Sequence, residues 1–104
     1  MVNKSILETS KRFVGQISEE MDVKKAYLFG SFAKGLEKKD SDIDIAIVIG
    51  NMNDFFGTQM QLMKLRRKVD LRIEPHPISE VDFTNMNPFA KEIQRTGVAL
   101  ILDK

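Results

Sequence analysis

Two hydrophobic periods run along the chain, one typical of helices and the other typical of strands. Over residues 5–21, apolar side chains recur every three or four positions with charged residues between them, which predicts an amphipathic helix. A similar spacing with a broader apolar arc predicts a second helix from Asn53 or Asp54 to about residue 68. A proline in the first turn and a glycine just beyond the end predict a third helix over residues 88–96.

Four shorter segments have the patterns of β-strands. Residues 25–29 are apolar and aromatic, and residues 43–49 alternate so that every isoleucine points to one face. Residues 69–74 also alternate, and we expect Pro75 and Pro77 to end this strand, because proline donates no backbone hydrogen bond. Residues 98–102 predict a last strand, and residues 31–36 predict a short helix directly after the first.

These elements predict one α+β domain over residues 1–104, with a small mixed sheet of about four strands and helices mainly on one face. Hydrophobic residues make up 42% of the chain, which is enough for a packed core. The absence of cysteine from the sequence excludes disulfide scaffolds, thiolate metal sites and cysteine nucleophiles. The balance of 16 basic and 15 acidic residues argues against nucleic acid as the main partner.

The sequence also bears on localisation. No stretch approaches the roughly 18–20 apolar residues that a membrane-spanning helix needs. The first residues are polar and periodic, without the apolar centre of a signal peptide. We therefore expect a cytoplasmic domain with no membrane partner.

The candidate chemistry begins where the first strand meets the short helix, at Gly30 and Ser31. A strand–glycine–serine–helix junction exposes backbone N–H groups, and glycine lets a phosphate approach them closely. Asp42 and Asp44 open the clearest strand and point to the same face, about 6–7 Å apart at the backbone. Two carboxylates this close repel unless a cation lies between them, and oxygen ligands favour magnesium. The pair predicts a magnesium site beside a phosphate site.

Asp70 opens the next predicted strand and extends this pattern, because it is an acid on the opposite face from apolar neighbours. If the strands are adjacent, three aspartates converge, which suits two-metal phosphoryl or nucleotidyl transfer. Asp70 could then also be the general base. Glu74 shares its face and is the competing candidate, whereas His76, the only histidine, is expected to be a surface residue outside any metal cluster.

These motifs resemble a known signature. Gly30-Ser31, separated by ten residues from Asp42-x-Asp44, resembles the DNA polymerase β-like nucleotidyltransferase superfamily. The short length and the Val69-Asp70-Leu71 segment make the chain look like a minimal nucleotidyltransferase of that superfamily. The resemblance implies the polymerase β-like core fold, with Gly30 and Ser31 binding a nucleoside triphosphate. It also implies Asp42, Asp44 and Asp70 as the catalytic, magnesium-binding residues.

The resemblance further implies a partner. Many minimal nucleotidyltransferases are antitoxins of HEPN-domain toxins, and some transfer AMP from ATP to a tyrosine of the toxin. The expected function is therefore protein adenylylation with ATP as substrate and two magnesium ions. Two alternatives stay open: an antitoxin that neutralises its toxin by occlusion alone, and a nucleotidyltransferase acting on a small hydroxyl or amine compound with a separate substrate-binding chain. The apolar arc of Phe55, Met60 and Met63 is expected to be core, although part of it could meet a partner or a second copy of the chain.

Overall fold

The computed structural model describes residues 2–100. The first half consists of α1 (Lys4–Ile17), β1 (Val23–Phe29), α2 (Ser31–Lys34) and β2 (Ile43–Ile49). The second half consists of α3 (Phe55–Leu65), β3 (Ile73–Ser79), α4 (Pro88–Thr96) and β4 (Val98–Ala99). Single turns of 3-10 helix at Arg66–Lys68 and Glu80–Asp82 flank β3. Of the last predicted strand, residues 101 and 102 lie outside the described part.

The four strands form one mixed sheet in the order β3-β2-β1-β4. β1 pairs antiparallel with β2 and with β4, whereas β2 and β3 run parallel. The predicted α+β class, with a small mixed sheet, is thereby confirmed. None of the helices within residues 2–100 has the length and apolar character to cross a membrane.

The main core lies on one face of the sheet, where α1 and α3 pack. Phe13 and Ile17 of α1 and Leu62 of α3 are fully buried there, together with the alternating isoleucines of β2, which are Ile43, Ile45, Ile47 and Ile49. Phe89 of α4 contacts Phe29 of β1, whose register partner is Asp44. α4 therefore lies on the other face of the sheet, which carries the acidic residues of β2.

The prediction that Pro75 and Pro77 end the third strand is wrong, because both lie inside β3. β3 is an edge strand, and the Arg72 carbonyl before it accepts a bond from the Ile43 N–H. Backbone groups alternate in direction, so those of Glu74 and His76 point to β2 and those of the prolines point away. The missing N–H groups thus fall on the free edge, where no strand needs them.

The free edge of β3 is bound by side chains from the preceding helical segment. Gln59 of α3 donates its amide hydrogen to the Pro75 carbonyl at 3.2 Å. Arg66 donates to the Ile73 carbonyl at 2.9 Å and to the Leu71 carbonyl at 3.2 Å. These bonds give a hydrogen-bond donor to carbonyls on the side of β3 that has no neighbouring strand. β3 itself begins four residues later than the alternation predicts.

Candidate active site

Gly30 brings the turn after β1 into direct contact with the acidic strand. Its φ of 75° and ψ of −151° belong to a region that is essentially reserved for glycine. A Cβ atom at this position would collide with the Asp44 carboxylate. The two sequence motifs, Gly30-Ser31 and Asp42-x-Asp44, therefore meet in the fold at Gly30 and Asp44.

Ser31 begins α2, a single helical turn that ends at Gly35 in the left-handed conformation. The Phe32 side chain is buried in the main core and holds this turn in place. The first backbone N–H groups of a helix have no partner within the helix. In this chain the start of α2 directly follows Gly30, which itself lies against the Asp44 carboxylate.

Asp44, Glu74 and His76 form the acidic centre of the site. One ligand atom from each lies within 4.8 Å of the other two. The parallel register places Glu74 directly beside Asp44, and His76 beside Ala46. The Asp44 side chain is 25% exposed, so the carboxylate remains accessible to a ligand.

His76 is fixed by a hydrogen bond and by aromatic contacts. Its Nε2 atom lies 3.1 Å from Oδ1 of Asp44, and the ring nitrogen donates because an ionised carboxylate only accepts. The ring meets Phe29 at a centroid distance of 4.9 Å and an angle of 66°. Phe89 packs edge-on against Phe29 at 5.6 Å and completes the group. The expectation that His76 stands outside any metal cluster is wrong, because the strand that carries it begins later than predicted.

Asp42 lies just before β2 and is exposed. Strand alternation places it on the same face as Asp44, two residues away. It is not one of the three residues whose ligand atoms lie within 4.8 Å of one another. Asp42 therefore lies beside this group on the same face and is not one of its members.

Asp70 lies in the turn before β3 and is bound by Arg72. Its Oδ1 atom accepts from Nε of Arg72 at 3.0 Å and from the Arg72 backbone N–H at 2.8 Å. Nη2 of Arg72 donates to Oδ2 at 2.7 Å. The hydrogen bonds from the Arg72 side chain are the main reason that the pKa of Asp70 is lowered. This carboxylate is ion-paired with Arg72, and it is outside the group formed by Asp44, Glu74 and His76.

Glu74 and His76 are thus the site residues that the sequence pattern undervalued. The role expected for Asp70 stays a prediction, but Glu74 is the acid that neighbours Asp44. The available signal was the spacing of Pro75 and Pro77, since two prolines at alternate positions suit an edge strand as well as a loop. If the two prolines are taken as part of an edge strand, the predicted strand starts later in the sequence. Glu74 then lies inside it and can pair with Asp44.

The donors present fit a hard divalent cation. Carboxylate oxygens from Asp44 and Glu74, with Asp42 on the same face, match the oxygen ligands that magnesium prefers. The imidazole of His76 is a ligand that magnesium seldom uses. Its hydrogen bond to Asp44 suits the orientation of a ligating carboxylate. The arrangement can hold a cation over β2 and β3, next to the helix start that follows β1.

A groove opens beside this centre, between α3 and α4 on the outer side of β3. Its volume is about 680 Å³. We call it the α3–α4 groove; its lining residues are Phe55, Gln59, Met63, Glu74, Pro75, His76, Pro77 and Phe89. Glu74 and His76 belong to both the groove and the acidic centre. The expectation that Phe55, Met60 and Met63 lie in the core is wrong: Phe55 is 58% and Met60 46% accessible, and Met63 is only partly buried.

Comparison with known proteins gives a family match. The family model described as "Polymerase beta, Nucleotidyltransferase" matches residues 13–104. A comparison with curated proteins finds no match.

Solved structures resemble the fold over most of its length. One is a candidate nucleotidyltransferase from Sulfolobus solfataricus, with a TM-score of 0.65 and 21% identity, covering 91% of this chain and 78% of that one. A second is a mutant of the toxin–antitoxin MntA-HpeT, with a TM-score of 0.66 and 18% identity, covering 91% of this chain and 74% of that one. A third is a toxin–antitoxin with AMP-PNP, with a TM-score of 0.65 and 20% identity, covering 90% of this chain and 74% of that one. At these identities the likeness concerns the fold.

Proposed function

The chain belongs to the polymerase β nucleotidyltransferase family, and on that premise we propose that it transfers AMP from ATP to a hydroxyl group of an acceptor, with magnesium. The observation that carries the proposal is that Gly30, Asp44 and Glu74 lie side by side across neighbouring strands, at the end of β1, on β2 and on β3. Phe29, which precedes Gly30, pairs with Asp44, and Asp44 pairs with Glu74. A phosphate site and two cation ligands therefore lie on one line across the sheet.

Each residue has a role in this proposal. Gly30 and Ser31 bind the triphosphate through backbone N–H groups and the serine hydroxyl. Asp42 and Asp44 hold magnesium, and Glu74 supplies the third carboxylate in preference to Asp70, which is paired with Arg72. Magnesium, in up to two positions, would neutralise phosphate charge and lower the pKa of the attacking hydroxyl. His76 keeps the Asp44 carboxylate in one orientation.

The proposed reaction is one in-line displacement. The acceptor oxygen forms a bond to the α-phosphorus of ATP as the bond from that phosphorus to the bridging oxygen of pyrophosphate breaks. The acceptor proton passes to Glu74, the carboxylate of β3. The products are an AMP ester of the acceptor and pyrophosphate. The residues contribute by orientation and by charge placed before the reaction begins.

For the acceptor, we propose a tyrosine of a HEPN-domain toxin, so that the chain is an antitoxin. Support comes from the family membership and from the fold likeness to a toxin–antitoxin described with AMP-PNP. Tyrosine is the acceptor that the sequence resemblance implies.

Nucleotide binding is the first test of this function. Titration of the protein with AMP-PNP should release heat only when magnesium is present, and Asp44→Asn should lose at least about tenfold in affinity. Asp54→Asn is a matched control, because Asp54 is an exposed acid before α3 and belongs to neither motif. Equal binding with and without magnesium would contradict the proposal.

Label transfer is the second test. The protein, magnesium and α-labelled ATP are incubated with a purified HEPN-domain protein, the partner class proposed above. Transfer of label to a tyrosine, lost in Asp44→Asn, supports adenylylation. Neutralisation of the partner that survives Asp44→Asn without any label supports occlusion instead. Label on a small hydroxyl compound but not on the partner supports the third alternative.

A further inference from the structure

The α3–α4 groove lies on the side of the acidic centre opposite to the phosphate site. Phe29 ends β1 and Gly30 follows it; Asp44 is beside Phe29 on β2, and Glu74 is beside Asp44 on β3. The next space in this direction is the groove, since β3 is an edge strand. In an in-line transfer the attacking oxygen and the leaving oxygen lie on opposite sides of the phosphorus. With pyrophosphate at Gly30, in-line geometry therefore puts the attacking group on the side of the groove.

The lining of the groove selects for an uncharged, apolar body. Five of its residues are apolar, namely Phe55, Met63, Pro75, Pro77 and Phe89. Among residues 2–100, no lysine or arginine lines it, so a phosphate or carboxylate has no counter-charge there. The polar groups Glu74 and His76 stand at the end that meets the acidic centre. A ligand with an aromatic ring in the groove would place a terminal hydroxyl at that end.

The edge of β3 excludes docking by strand addition. Pro75 and Pro77 point no N–H group outward, and the Ile73 N–H is bonded to the Asp70 carbonyl. The Ile73 and Pro75 carbonyls are occupied by Arg66 and Gln59. An added strand needs a ladder of free donors and acceptors, which this edge lacks. A protein acceptor must therefore enter with a side chain and not with its backbone.

We propose that the α3–α4 groove is the acceptor site, and that it takes a phenolic side chain presented by a helix or loop of a partner protein. This inference rests on the proposed function and deepens it by naming the place and mode of acceptor binding. The phenol oxygen bonds to the α-phosphorus, its proton passes to Glu74, and pyrophosphate leaves on the side of Gly30. Phe55 forms the outer wall, being 58% exposed while lining the groove.

The test uses a small phenol, so that no unidentified partner is needed. N-acetyl-tyrosinamide is titrated to about 10 mM into ¹⁵N-labelled protein, a range that detects millimolar affinity. We expect shifts at the backbone amides of Phe55, Gln59, Met63, Glu74 and His76, which line the groove. N-acetyl-serinamide should leave the same amides unchanged, because it has no ring to fill the groove.

Phe55→Ala should weaken binding of the phenol by about fivefold or more, as expected for loss of an aromatic contact. Phe56→Ala is the matched control: Phe56 is the adjacent residue of α3, 71% exposed and outside the lining. Phe55→Leu should be intermediate, and the spectra of all three variants report directly whether they are folded. Binding of AMP-PNP with magnesium should be the same in Phe55→Ala and wild type.

Three results would overturn the inference. One is the absence of shifts with N-acetyl-tyrosinamide, and another is a set of shifts away from the groove. The third is weaker AMP-PNP binding in Phe55→Ala, which would make the groove the site of the nucleobase. Failure of the proposed function looks different, since the phenol would then bind in the groove while AMP-PNP with magnesium would not bind at all.

Discussion

At the scale of single residues, the site depends on close contact between a backbone and a carboxylate. Gly30 leaves room for Asp44, and its backbone conformation is one that other residues seldom adopt. The spacing of the two motifs in the sequence suggested that they act together. It could not show that the glycine is needed for contact with an acid as well as for access to a phosphate.

We expect Gly30→Ala to lower the free energy of unfolding by about 1–3 kcal/mol, because of the strained backbone and the collision with Asp44. Gly15→Ala is the control, since Gly15 lies within α1 and the added Cβ would meet nothing within 4 Å beyond the backbone of its own helix and its chain neighbours. That change should stabilise the helix by about 0.5–1 kcal/mol. Urea denaturation measures both, and equal effects would contradict the account of Gly30.

Glu74 and Asp70 can be separated by a pair of neutral variants of similar size. Glu74→Gln should slow AMP transfer by about 10²-fold or more, the loss typical of a catalytic acid or base. Asp70→Asn should stay within about threefold of wild type, because its carboxylate is engaged by Arg72. Label transfer at saturating ATP measures both variants. The reverse ranking would restore Asp70 to the role that the sequence predicts.

The Asp70–Arg72 pair gives a pH-dependent contribution to stability. Its bonds lower the pKa of Asp70, so the stabilisation is present above the ordinary carboxyl value and is lost as the pH falls through the value in the folded state. We expect wild type to exceed Asp70→Asn in unfolding free energy at pH 7, and the difference to shrink in acid. Arg72 is about half exposed, so the difference is small. A difference that grows in acid would contradict this assignment.

At the scale of elements, the sequence predicted correctly those strands and helices whose apolar side chains recur with a clear helical or strand period. β1, β2, α1 and α4 lie within a few residues of their predicted positions. The predicted bounds of β3 were wrong because they depend on its pairing with β2 and on its place at the sheet edge. A local sequence pattern contains neither. Its prolines are allowed only because the outward side of the strand needs no donors. The error in this strand also concealed Glu74 and His76.

The prolines of β3 should also keep the sheet from growing. The double change Pro75→Val and Pro77→Val keeps apolar, β-compatible side chains and adds two outward N–H groups. We expect this variant to form dimers or larger species more readily than wild type, measured by light scattering after size-exclusion chromatography. Pro88→Ala, in the first turn of α4, is the control and should not change the mass. A double variant with the mass of wild type would contradict the role of the edge.

At the scale of the whole molecule, a ligand that bridges strands should stabilise the entire small domain. Saturation at about 100 times the dissociation constant contributes about 2.7 kcal/mol, which raises the melting temperature of a domain of this size by several degrees. We expect magnesium with AMP-PNP to have this effect in wild type and to lose it in Asp44→Asn. Thermal unfolding followed by circular dichroism measures it. The same shift in both proteins would place the nucleotide elsewhere.

The register of β2 and β3 carries a cost within the fold itself. Without a cation between them, Asp44 and Glu74 place like charges side by side on paired strands, which weakens the pairing that assembles the site. β3 has a strand neighbour on one side only, so this repulsion acts on the single strand pairing that β3 has. Cation binding would reverse the sign of that interaction. Local opening of β3 should then become rarer, so the bound ion would also stabilise the pairing of this edge strand with β2.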